Sequence, residues 1–164
     1  MKKLSLCLVL FTLFGCSPNH MIKLETCPDI KKFAPPAGKA ALFVAHKGAF
    51  FGGAVNIEYY LDKQFIGSTK GSSSFHTIVN PGEHYIINRK LIDTGYVNFE
   101  PNKLYFYYSD TASYTYDIVD SERFIDGTDG ISCYKKDMTS VRALSDEDYQ
   151  TAKQCKNRID MCTR

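Results

Sequence analysis

Eight short runs rich in β-branched and aromatic residues lie between Ala40 and Val119, each bounded by turn-forming residues. They are Ala40 to His46, Val55 to Leu61, Gln64 to Thr69, Phe75 to Val79, His84 to Leu91, Tyr96 to Phe99, Leu104 to Tyr108 and Thr115 to Val119. Short apolar runs at this spacing read as strands. Alternation is plainest in the second, where Val55, Ile57, Tyr59 and Leu61 point one way and Asn56, Glu58 and Tyr60 the other. Asp62-Lys63 and Asn80-Pro81-Gly82-Glu83 supply hairpin turns. Seven or eight strands joined in this way predict a mainly β domain, an antiparallel sandwich of immunoglobulin-like or transthyretin-like type.

A helix is expected to follow the strands. Ser145, with Asp148 three residues on, reads as an N-cap, and Asp-Glu-Asp suits the positive end of a helix dipole. Tyr149, Ala152, Cys155, Ile159 and Cys162 recur at helical spacing and form one apolar face. The organisation expected is residues 1–15 as a signal peptide, 16–37 as a linker, 38–144 as the sandwich and 145–164 as a helix packed on it.

The N-terminus has a different character. Lys2 and Lys3 precede the apolar run Leu4 to Phe14, which as a helix would span about 16 Å, against a hydrocarbon core of roughly 30 Å. Such a run is the build of a secretory signal peptide rather than of a membrane span. Leu13-Phe14-Gly15-Cys16 resembles the bacterial lipobox. That resemblance implies cleavage between Gly15 and Cys16, with Cys16 becoming a lipidated N-terminus. Each buried CH₂ contributes about 0.8 kcal/mol, so two or three acyl chains on one Cys would hold a domain at the membrane. Ser17 in place of Asp resembles the outer-membrane sorting signal of enteric bacteria, implying a periplasm-facing envelope protein.

The 20 basic residues of the whole chain include Lys2 and Lys3, so the chain after Gly15 carries 18 basic residues against 18 acidic ones. A balanced charge argues against a nucleic-acid partner, which calls for a clustered basic face. With Cys7 in the leader and Cys16 assigned to lipid, Cys27, Cys133, Cys155 and Cys162 remain. An even number in an exported chain favours disulfides, with three connectivities open and four free thiols as the alternative. On one helix Cys155 and Cys162 would stand about 10 Å apart along the axis, beyond disulfide reach. Each is therefore expected to bond to Cys27 or Cys133, stapling the helix to the domain. The absence of a Cys-x-x-Cys knuckle argues against zinc.

At the strands a family resemblance is visible. Gly38-Lys39-Ala40-Ala41-Leu42-Phe43-Val44, Phe50-Phe51-Gly52-Gly53-Ala54, Tyr60-Leu61-Asp62, Ile66-Gly67, Asn80-Pro81-Gly82-Glu83-His84 and Phe99-Glu100-Pro101-Asn102-Lys103-Leu104-Tyr105 occur in this order. The series resembles the bacterial domain-of-unknown-function family numbered 2846. The resemblance implies an exported lipoprotein with a sandwich fold and implies no activity.

Candidate chemistry is sparse. Ser132-Cys133-Tyr134-Lys135 fits the Ser-x-x-Lys motif of penicillin-recognising enzymes, but the companion Ser-Asp-Asn and Lys-Thr-Gly tripeptides are absent. Asp126-Gly127-Thr128-Asp129-Gly130 has two carboxylates but no calcium-loop ladder, and reads as a tight turn. Gly67 to Ser74 lacks the phosphate-loop frame and reads as a flexible connection. If Val79 pairs with His84 across a hairpin, His76 and His84 fall on opposite faces and share no metal with each other. No metal or cofactor is expected.

The tyrosines carry the remaining hypothesis. Tyr105, Tyr107, Tyr108, Tyr114 and Tyr116 cluster with Phe106, and in a strand Tyr105 and Tyr107 share one face while Phe106 and Tyr108 share the other. One face must be core, and the other would present aromatic surface with polar tips, suited to a protein partner or a glycan. Ordinary sheet packing is the alternative. The expectation is a non-enzymatic, membrane-anchored envelope lipoprotein that contacts another envelope protein; the alternative is a module binding envelope glycan or a small molecule.

Overall fold

The computed structural model describes residues 20–48, 56–88, 95–110, 115–139 and 142–155. In chain order its elements are β1 (Met21–Lys23), β2 (Ala40–Lys47), β3 (Asn56–Leu61), β4 (Gln64–Lys70), β5 (Ser73–Val79) and β6 (Gly82–Asn88). Then come β7 (Gly95–Phe99), β8 (Leu104–Asp110), β9 (Thr115–Val119), α1 (Ser121–Gly127), β10 (Ser132–Lys136) and α2 (Asp146–Cys155). The strands make a six-stranded sheet in the order β1-β10-β5-β2-β8-β9 and a four-stranded sheet in the order β4-β3-β6-β7. The signal peptide, Cys16, Cys162 and the predicted helix beyond Cys155 lie outside the described residues.

Burial follows from which faces are covered. Ala40, Leu42 and Val44 of β2 point between the sheets, where they meet Phe75, Tyr107, Ile57, Tyr59, Ile66, Ile86 and Phe99. Ala41, Phe43 and Ala45 point the other way and pack with Phe106 and Tyr108 beneath Phe124 of α1, flanked by Ile30 and Phe33. On the far side of the four-stranded sheet, Tyr60, Phe65, Tyr85 and Ile87 are covered by Leu144 and by Tyr149 and Ala152 of α2. Both sheets are therefore covered outside as well as inside. This explains why β2 reads as an unbroken apolar run rather than an alternating one. Each large side chain so buried contributes about 1.5–3 kcal/mol relative to exposure.

Asp62 and Lys63 form the expected two-residue turn between β3 and β4, with Asp62 at φ 55°. Four other expectations are corrected. The sandwich is not purely antiparallel, because β2 pairs with β8, and β10 with β5, in parallel. Parallel pairs need long crossovers, and the whole second sheet lies between β2 and β8 in sequence. Asn80 to Glu83 joins no hairpin, since β5 and β6 belong to different sheets. Gly82, at φ 127°, allows the chain to cross between them.

The remaining two corrections concern segments read as irregular. Residues 21–33, read as linker, belong to the domain: Met21 to Lys23 pairs with Tyr134 to Lys136, and Ile30 and Phe33 pack under the six-stranded sheet. Gly67 to Ser74 is mostly strand, with only Gly71 and Ser72 between β4 and β5. The exposed edge of β4 is partly closed by the chain before α2: Phe65 N–H donates to Arg142 O (3.0 Å) and Leu144 N–H to Lys63 O (2.8 Å).

Candidate functional site

The predicted aromatic surface on β8 is largely used up by packing. Tyr107 is 5% exposed and lies between the sheets; Tyr108 is 5% exposed beneath α1, with its hydroxyl 3.5 Å from Gly127 O. Tyr105 is half-buried, its hydroxyl donating to Asn98 O (3.0 Å) and accepting from Glu100 N–H (2.8 Å). The two faces of β8 are both core because α1, which the sequence reading missed, covers the second. Tyr114 and the side chain of Tyr116 lie outside the described residues.

A different group of tyrosines runs from the core to the surface, from buried Tyr85 to exposed Tyr96. Tyr85 of β6 and Tyr96 of β7 are direct cross-strand partners with ring centroids 4.6 Å apart, and Tyr149 of α2 approaches Tyr85 at 6.2 Å, edge to face. Asp62 sets the base of this group. One carboxylate oxygen accepts Tyr85 N–H (3.0 Å), the other lies 2.8 Å from His84 Nδ1, and Asp62 N–H donates to Tyr85 O (2.7 Å). Ser145 caps α2 as expected, accepting Asp148 N–H at 3.0 Å, and so fixes where Tyr149 emerges. Lys63, ion-paired with Asp146, lies 5.4 Å from the Tyr149 centroid. Tyr96, 49% exposed, forms the open lip.

Over this group lies the Lys153 ammonium, itself at the surface, 5.8, 5.6 and 5.3 Å from the centroids of Tyr85, Tyr96 and Tyr149. A hydrogen bond with Tyr96, foremost among the causes, holds the ammonium pKa above its ordinary value. The apolar face of α2 was legible in the sequence; the Tyr85–Tyr96 pairing, which depends on strand register, was not.

The disulfide expectation is also corrected. Cys27 bonds to Cys133, closing a separation of 106 residues, so neither is left to bridge Cys155 or Cys162. The reason is topological: Leu24 N–H donates to Cys133 O (2.9 Å) beside the β1–β10 pair, which sets the two cysteines side by side. The bridge walls a two-part cleft. An inner chamber of about 100 Å³ includes Phe43, His76, Phe124 and Cys133, and an outer one of about 450 Å³ lies between residues 27–31 and the Ile125 to Ile131 turn. Burial lowers the His76 pKa.

Three of the four histidines, His46, His76 and His84, occupy separate places. His76 stacks on Phe43 (5.2 Å) and His84 serves the Asp62 turn. His46 is fully buried at the end of β2, its Nδ1 2.9 Å from Ser109 Oγ, which donates to Ala45 O at 3.2 Å. Its Nε2 has no hydrogen-bond partner among the described residues. Desolvation, partly opposed by Asp110, holds the His46 pKa below its ordinary value. The unfolded state therefore binds the proton more readily, so this stabilisation is present above about pH 6.5 and is lost as pH falls through the lowered folded value. A His46→Gln variant should show a shallower loss of stability between about pH 7 and 5, measured by urea denaturation. An unchanged slope would assign the acid sensitivity elsewhere.

No family model matches the sequence. A protein of Haemophilus influenzae described as uncharacterized is 28% identical over 101 residues, 60% of this chain and 60% of that one. The chain thus spans about three fifths of the length of this relative, whose description attaches no activity to the shared region.

Proposed function

We propose that this chain is an exported lipoprotein, anchored at the membrane by acyl chains on Cys16, whose sandwich acts as a non-enzymatic interaction module of the bacterial envelope. The single observation that carries the reading is the Cys27–Cys133 bridge, eleven residues beyond the lipobox-like Gly15-Cys16. Disulfides form and persist in oxidising compartments, as an exported domain requires. The immunoglobulin-like or transthyretin-like type and the resemblance to family 2846 belong to the same proposal, as does an outer-membrane address facing the periplasm. An anchor at Cys16 would precede β1 by only a few residues of sequence, so the domain would be tethered through the short stretch before Met21 rather than through a long linker.

Replacing Cys16 with Ser should move the protein from the membrane to the soluble fraction; retention in the membrane would overturn the anchor. In intact cells, crosslinking of the anchored wild type should capture a reproducible envelope protein. Recovery of bulk neighbours alone would overturn the interaction role. The alternative, small-molecule binding, passes from the buried β8 tyrosines to the cleft beside the disulfide. Its outer chamber, about 450 Å³, falls in the size range of ligand pockets.

A further inference from the structure

We propose that the recess of Tyr85, Tyr96 and Tyr149 is a binding site for primary alkylammonium groups, held shut by the chain's own Lys153. The proposal goes beyond the anchoring role and does not rest on it.

Three observations carry it. First, all three ring centroids lie within 6 Å of the Lys153 ammonium. Cations are attracted to aromatic faces at that range, and clustered aromatic rings are a known means of recognising ammonium ligands. Second, the Tyr96 ring that this ammonium faces at 5.6 Å carries a hydroxyl able to accept a hydrogen bond from it. An N–H-bearing cation can keep that bond and a quaternary one cannot, so the recess distinguishes between them. Third, the rings are held by contacts independent of Lys153. Asp62 fixes the Tyr85 backbone, the β6–β7 register sets Tyr96 against Tyr85, and the Ser145 cap and Lys63 position Tyr149. Withdrawing the lysine therefore leaves a formed site rather than a collapsed one.

Lys153 is carried on α2 by a flexible four-carbon stem, so its ammonium can leave the rings while the helix stays formed. An external ammonium competes with a tethered one at millimolar effective concentration, so the closed form rejects weak ligands and admits those with further contacts. The same chemistry is offered by a soluble amine and by the headgroup of an ethanolamine phospholipid.

The test uses the full mature chain carrying Lys153→Ala, titrated with n-propylammonium at constant ionic strength while the tyrosine ring resonances are followed by NMR. Saturable shifts confined to these three rings are expected, with wild type binding roughly tenfold more weakly. Tetramethylammonium should bind less well than n-propylammonium, and Tyr96→Phe in the same background should erase that preference. Lys153→Met keeps the aliphatic stem and serves if the alanine variant loses α2 by circular dichroism. A folded variant without saturable shifts overturns the site; equal binding of the two cations overturns the role of Tyr96. Cosedimentation of the variant with ethanolamine-headgroup vesicles beyond choline-headgroup ones supports a lipid ligand, and binding of the free amine alone supports a soluble one.

Discussion

Replacing Cys27 and Cys133 together by serine is expected to lower stability by about 2–5 kcal/mol. The bridge spans 106 residues and encloses β2 through β9, so reduction frees almost the whole domain in the unfolded state. In a chain-entropy account, a loop of that length lies at the upper end of what a crosslink contributes. The native state would also loosen where residues 24–33 lie against the sheet, since β1 offers only three residues of pairing with β10. Urea denaturation of the double variant, and of the wild type with and without reductant, should give matching losses. A loss below about 1 kcal/mol would mean that Ile30, Phe33 and β1 hold the segment without the bridge.

Phe124→Ala is expected to cost about 3–5 kcal/mol. Phe124 is the buried residue of α1, with ring centroids 6.3, 5.2 and 6.5 Å from those of Phe43, Phe106 and Tyr108. It is the plug that closes the outer face of the six-stranded sheet. The surroundings are tight: a Cβ on Gly127 would lie 2.6 Å from the Tyr108 ring, so α1 has little room to settle into the cavity. A second readout separates loss of the plug from general weakening. Burial, with Asp110 adding to it, raises the Tyr108 phenol pKa. In the variant water reaches the ring, and a spectrophotometric titration should find that pKa moving back toward its ordinary value. A Tyr108 titration identical to wild type would show that α1 does not shield it.

The eight strands named from the sequence all correspond to strands of the structure, because runs such as Ala40 to His46 and Leu104 to Tyr108 leave little else for the chain to form. The C-terminal helix was legible for the same local reason, a serine cap followed by an acidic turn. What escaped was short or non-local. β1 has three residues, β10 is Ser-Cys-Tyr-Lys-Lys, and α1 has seven residues, with the Asp120 cap and Glu122 in the first turn as local signs of its start. Missing α1 led directly to the expectation that one face of β8 presents tyrosines. Assigning Asn80 to Glu83 to a hairpin failed because turn chemistry specifies a reversal but not which sheet the next strand joins. The recess of Tyr85, Tyr96 and Tyr149 depends on β6–β7 register and on where α2 lands, neither of which is written in local pattern.

The pairing of β1 with β10 has a consequence for how the chain is made. Met21 meets Lys136, and β2 in the middle of its sheet must wait for β8 before both its edges are filled. A nascent chain leaving the ribosome N-terminus first would hold its opening strand unpaired until nearly all of the domain had been synthesised. Long-range closures of this kind fold slowly. If the chain is exported as proposed, that delay would keep it threadable through a membrane channel, and β1 would meet β10 only once both had crossed.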